Sequence, residues 1–142
     1  MPEVKLIYQS SSGHAYSVAK AVGNELNTKP IDIHEPAVLS DTDLLILCIE
    51  TRDGKPDYYL LDYLDQLPVN SIKDAALIST SLSGRDYTEL AVGLLGHKGI
   101  SVYPKRLCLK SSILRLFRNR PDESDLKEAR LFAREVAAAC GQ

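Results

Sequence analysis

Three short apolar runs organise the chain, at residues 5–8 (KLIY), 43–49 (DLLILCI) and 75–79 (AALIS). Their near-continuous hydrophobicity predicts strands buried on both faces, the condition of a central parallel strand; a strand with one wet face would alternate. Two weaker runs, residues 31–33 and 100–103, follow the turn pairs Lys29-Pro30 and Lys98-Gly99 and bring the candidate strands to five. Between the runs, apolar positions recur at helical spacing. Ala15, Val18, Ala19, Val22 and Leu26 mark a first helix, Leu60, Leu61, Leu64 and Leu67 a second, and Leu90, Ala91, Leu94 and Leu95 a third. The fourth carries Leu126, Ala129, Ala133, Val136, Ala137 and Cys140. It follows Asp122, Glu123, Ser124 and Asp125, where acceptors and negative charge suit the open N–H groups of a helix start.

Strands that alternate with helices predict a parallel sheet covered on both faces, because each right-handed crossover lays its helix back on the sheet. Ligands in such folds sit beyond the carboxyl ends of the strands. That edge belongs here to three loops, residues 9–15, 50–57 and 80–87. Residues 105–120 resist placement, mixing Lys105, Arg106, Lys110, Arg115, Arg118 and Arg120 with Leu107, Leu109, Ile113, Leu114, Leu116 and Phe117.

Composition narrows the picture. The chain has 142 residues, 44% of them hydrophobic, and a net charge of −2, which suits one domain over residues 1–142 with its own core. No apolar run reaches membrane-spanning length, so no membrane partner is expected. The opening MPEVKLIY enters a strand pattern directly, without the basic start and long apolar middle of a secretory leader, and this points to the cytoplasm. Cys48, Cys108 and Cys140 lie far apart and suit buried thiols better than a disulfide framework or a zinc site. The basic stretch after Pro104 reads as a solvated face, or as a dock for an acidic redox partner or a nucleotide phosphate. With Phe117 as its one aromatic residue and a slightly acidic chain overall, it does not support nucleic-acid binding.

The candidate chemistry lies in QSSSGHAYSVAK, residues 9–20. A strand that ends in small hydroxyl residues and opens a helix offers free backbone N–H groups at the positive end of the helix dipole, where an anion fits. Ser10, Ser11 and Ser12 add hydroxyl donors, and Gly13 permits a tight backbone turn. The loop has no lysine and is therefore not a nucleoside-triphosphate loop. Either it holds a phosphate monoester with neutral donors, or the serines simply cap the helix.

SSSGHA, with KLIY before it and YSVAKAVGNEL after it, resembles the flavodoxin phosphate loop, whose pattern is Ser/Thr, any residue, Thr/Ser, Gly, any residue, Thr. Ser10, Ser12 and Gly13 match, and Ala15 replaces the final hydroxyl residue. DLLILCIETRDGKPDYYLLDYLDQLP is similar to the third strand, first flavin loop and following helix of that family. Thr51, Gly54 and Pro56 keep its frame, whereas Cys48, Glu50 and Arg52 depart from it. ALISTSLSGRDYTELAVGLLGHKGISVY resembles the fourth strand, second flavin loop, next helix and fifth strand.

The resemblance implies a flavodoxin-like three-layer α/β/α sandwich with a five-stranded parallel sheet in the order 2-1-3-4-5. It also implies FMN as cofactor, electron transfer as an FMN-binding carrier or small flavin reductase component, and a protein redox partner. By position, Ser10, Ser11, Ser12, Gly13, His14 and Ala15 would hold the phosphate. Thr51, Arg52, Asp53 and Gly54 would flank one face of the ring, and Ser81, Leu82 and Tyr87 the other. No side chain need act as acid or base, and no metal is implied. Arg52 either stacks on the ring, bringing a charge that favours reduced flavin, or is a solvated turn residue. Tyr87 either stacks on the ring or packs on the core at a helix start. The changes at Ala15, Glu50 and Arg52 support an alternative, a flavodoxin-fold binding or regulatory module that has lost FMN.

Neighbouring families fit less well. A receiver domain needs further acids after the first strand to hold magnesium, where Gln9 and Ser10 stand. A low-molecular-weight tyrosine phosphatase needs a cysteine in the first loop, and none is there. His14, His34 and His97 form no recognisable hydrolase pattern.

Overall fold

A computed structural model describes residues 2–52, 54–112 and 120–140. β1 (Val4–Gln9) leads to α1 (His14–Leu26), β2 (Pro30–Asp32), β3 (Thr42–Arg52), the short β4 (Lys55–Pro56) and α2 (Tyr58–Asp65). β5 (Ile72–Ser81), α3 (Glu89–His97), β6 (Ser101–Val102), β7 (Leu107–Lys110) and α4 (Glu123–Cys140) follow. The central path of the sheet runs β2-β1-β3-β5-β6 with every pair parallel, which is the 2-1-3-4-5 order expected for the five main strands.

The apolar runs are continuous because alternate residues feed two cores. Leu6, Leu44, Ile46, Cys48, Ala76 and Ile78 face α1 and α4, packing with Val18, Val22, Ala129, Phe132 and Val136. Ile7, Leu45, Leu47, Ile49, Ala75 and Leu77 face α2 and α3, packing with Leu60, Leu64, Ala91 and Leu95. Leu90 departs from the expected helical stripe, since its side chain is 63% exposed. All three cysteines are free; Cys48 is fully buried, and Cys108 and Cys140 are half-buried. No described helix is long and apolar enough to cross a membrane.

The fifth strand departs from the expected single run. The Tyr103 N–H donates to the Ala75 carbonyl at 2.7 Å, but Pro104 has no N–H to continue the ladder. The strand resumes as β7, where Leu107 pairs with Ile78 and Lys110 with Ser81. Leu107 and Leu109 point inward at alternate positions, a period-2 signal hidden among the cations. β7 therefore extends the sheet at its carboxyl edge and carries Ser111 and Ser112 to the ligand side. Of the basic stretch, Ile113, Leu114, Arg115, Leu116, Phe117 and Arg118 lie outside the described residues.

The start of α4 follows the expected acceptor logic. The Asp125 N–H donates to Asp122 at 3.0 Å and the Asp122 N–H donates to Asp125 at 2.8 Å, while Arg120 holds the buried Asp125 carboxylate through Nε at 2.5 Å and Nη2 at 2.8 Å.

Candidate functional site

β1 and β3 pair in parallel with Gln9 opposite Ile49, so Glu50, the next residue of β3, ends directly across from the serine loop. The loop turns at Gly13, whose φ of +94° is strained for any residue with a side chain. Its donors converge on Glu50. Oε1 accepts from the Ser11 N–H (3.0 Å), the Ser11 hydroxyl (3.0 Å) and the Ser12 N–H (3.1 Å). Oε2 accepts from the Ser10 hydroxyl (2.6 Å), the Ser12 hydroxyl (2.8 Å) and the Ala15 N–H (3.2 Å).

The remaining helix-start donors are met at second hand. The Ser10 hydroxyl oxygen, its proton committed to Glu50, accepts from the N–H groups of Gly13 at 3.1 Å and Tyr16 at 3.2 Å. The Ser12 oxygen, likewise committed, accepts from the His14 N–H at 3.3 Å and lies 2.8 Å from His14 Nδ1, an arrangement that puts the imidazole proton on Nδ1. The Glu50 N–H donates to Gln9 Oε1 at 3.2 Å, fixing its backbone as well.

Glu50 is 6% exposed. Burial pushes its carboxyl pKa up, but the hydrogen bonds from Ser10, Ala15, Ser11 and Ser12 outweigh burial and bring it down to about 2. The group is therefore an anion at any ordinary pH. Its donors among the described residues are all hydroxyls and backbone N–H groups. An anion does sit at the positive end of α1, and it is supplied by the chain's own third strand.

Beside this cradle opens a cleft of about 600 Å³, within the usual range for a small-molecule site. Ser12, His14 and Glu50 line one end, Thr51, Arg52 and Gly54 one wall, and Thr80 to Ser83 with Tyr87 the other; Ser111 and Ser112 close it from the loop after β7. The Thr51 hydroxyl donates to the Thr80 carbonyl at 3.2 Å and ties the two walls at their base. Gly54, at φ +73°, lies against Tyr87 so closely that a Cβ there would stand 3.3 Å from Tyr87 Cε1. Tyr87 thus reaches across the mouth from the second loop to the first, with its hydroxyl 3.2 Å from Ser83 Oγ. The Ser81 hydroxyl donates to the Arg85 carbonyl at 3.1 Å, and Asp86 is held by Arg106 at 2.9 Å, which braces the second loop against β7.

Of the residues singled out in the sequence, Ser10, Ser11, Ser12 and Ala15 gather on the Glu50 carboxylate, and Gly13 makes their turn. Ala15 contributes only its N–H, since its methyl is packed in the core. Arg52 lies exposed on the cleft wall opposite Lys55 in a short hairpin. Leu82 is 49% exposed at the cleft. Asp53 lies outside the described residues. Thr80 and Ser83 line the site as part of the second loop expected at the ligand edge, Ser111 and Ser112 join it from outside the three expected loops, and Glu50, noted only as a departure from the flavodoxin pattern, meets the serine loop. Glu50 alone carried a usable signal, as the one acid closing the buried apolar stretch of β3, opposite a loop that lacks cations.

No family model matches the chain. No curated protein matches it by sequence. Solved structures do. A flavodoxin from the domain Archaea superposes with a TM-score of 0.76 at 16% identity, covering 99% of both chains. Oxidised flavodoxin 2 from Bacillus cereus gives 0.66 at 18%, covering 96% of this chain and 99% of that one. The rubredoxin:oxygen oxidoreductase of Desulfovibrio gigas gives 0.72 at 18% over 98% of this chain but only 36% of its own length. Superposition over the full length of these flavodoxins, at TM-scores of 0.76 and 0.66, identifies this chain as having the flavodoxin-like fold.

Proposed function

We propose that the cleft binds the ring system of a flavin and that the protein passes electrons through it, as a carrier or as a small reductase component. The observation that supports this most is the cleft's position: it opens where the strand order reverses between β1 and β3, walled by the two loops that follow β3 and β5. Bound there, a flavin would supply the redox chemistry, as the likeness to flavodoxins suggests. The chain's own residues would position it. Tyr87 and Leu82 offer apolar contact, Thr51 and Thr80 fix the spacing of the walls, and Arg52 puts a cation on one wall that would favour the electron-rich reduced ring. A protein redox partner would meet the ring edge at the cleft mouth, beside Tyr87.

FMN fits only in part. Its ring end would meet an open cleft, but its phosphate would meet a cradle whose donors already serve Glu50. That observation favours a second reading, a binding or regulatory module without flavin. The visible spectrum of the purified protein, followed by titration with riboflavin and FMN monitored by quenching of flavin fluorescence, separates the two. Flavin bands or saturable binding of either compound is expected; a colourless protein that quenches neither would overturn the flavin reading and leave the module.

A further inference from the structure

We infer that Glu50 is a built-in anion that holds the phosphate end of this cleft, so that the ligand accepted there is a ring compound carrying no phosphate. The ring part of this inference rests on the flavin reading above; the anion part does not.

A phosphate entering the serine loop would use the backbone N–H groups of residues 11, 12 and 15 and the hydroxyls of Ser10, Ser11 and Ser12. The Glu50 carboxylate takes a hydrogen bond from every one of them. The occupant is also tethered. Glu50 pairs with Thr80 across β5, and its own N–H is held by Gln9, so the carboxylate competes intramolecularly and at high effective concentration.

Charge adds to this. A phosphate monoester at neutral pH carries between one and two negative charges, and seating it would either place it against a buried carboxylate or expel that carboxylate from all its donors. Among the described residues, no lysine or arginine donates to the cradle to offset a second anion. A neutral ring ligand meets no such conflict, because the positive end of α1 is already compensated. Specificity of this kind works by exclusion: the ring walls stay open and the anion subsite is closed from within.

The test uses the full chain and its Glu50→Ala and Glu50→Gln variants, each titrated with riboflavin, FMN and inorganic phosphate. Fluorescence quenching reads the flavins, phosphorus NMR line broadening reads phosphate, and circular dichroism melting establishes that each variant is folded. The wild-type protein should bind riboflavin at least about tenfold more tightly than FMN and should not broaden the phosphate signal. Glu50→Ala should take up phosphate and should gain FMN affinity by about tenfold or more relative to its own riboflavin affinity. Glu50→Gln keeps the shape and loses the charge; it should fall between the two, and it serves as the test if the alanine variant does not fold.

Wild-type protein that binds FMN as tightly as riboflavin, or phosphate as well as the variants do, would overturn the inference, as would folded variants that gain neither. If no flavin binds any form but phosphate enters only the variants, the built-in anion stands and the flavin reading fails.

Discussion

Protonating Glu50 should unlock the serine loop, and the structure sets the size of the effect. The carboxyl pKa moves from 4.5 to about 2 on folding, because the hydrogen bonds to the carboxylate outweigh the cost of burying it. Each pKa unit corresponds to about 1.4 kcal/mol of preference for the charged form, so the ionised group stabilises the fold by roughly 3 kcal/mol, trimmed toward about 2 by water reaching the cleft. A folded-state pKa below the unfolded value means the stabilisation is complete above about pH 4.5 and is lost as the pH falls toward 2.

Glu50→Gln isolates this term, since protonated glutamate and glutamine are nearly the same shape and both are neutral. Urea unfolding at pH 7 should find the variant about 2–3 kcal/mol less stable than wild type, with the gap narrowing steadily below pH 4.5. The comparison also removes the background of Asp125 and Asp32, whose pKa values are lowered by Arg120 and by His34 and whose contributions fade with acid in both proteins alike. A gap that is independent of pH, or below about 0.5 kcal/mol at pH 7, would refute the argument that the loop's donors are committed to an ionised Glu50.

Other features of the fold make their own predictions. Gly54→Ala and Gly13→Ala both force a side chain into positive φ, at about 1–2 kcal/mol each; only Gly54→Ala also presses a Cβ to 3.3 Å from Tyr87, so thermal melting should show the larger loss there. Cys48, fully buried with burial pushing its thiol pKa up to about 12, should resist a thiol reagent in the native protein and react only on unfolding, while Cys108 and Cys140 react sooner. Asp125→Asn should weaken the hold of Arg120 on the start of α4 and lower stability by about 1–3 kcal/mol in chemical denaturation, reading out the charge-assisted hydrogen bonds at 2.5 and 2.8 Å.

The central strands were legible because two opposed cores demand apolar residues at every position, and a run such as Leu44 to Ile49 satisfies nothing else so simply. Their carboxyl ends were not, because Thr51, Thr80 and Ser81 continue the ladder after hydropathy has fallen, and hydrogen bonding leaves no such mark in composition. β7 was hidden by Pro104, which splits one strand into two and left its second half among cations.

The anion cradle was legible from its serines and Gly13, since those residue types before a helix serve little else than a cap or an anion. Its occupant was harder to see, lying 35 residues from the nearest backbone donor it engages. Yet the step is short once the strand order is accepted. If β1 and β3 are neighbours in parallel and in register, the residue after Ile49 must face the residue after Gln9. An acid at that position opposite a loop of unpaired donors has then two outcomes: it is repelled into solvent, or it becomes the ligand. Burial decides between them. A carboxylate 6% exposed at the end of an apolar strand persists only if its charge is met by hydrogen bonds, and the serine loop is where the fold supplies them. Glu50 and the loop of Ser10, Ser12 and Gly13 are thus one arrangement, in which the donors at the start of α1 are met by a carboxylate from within the chain.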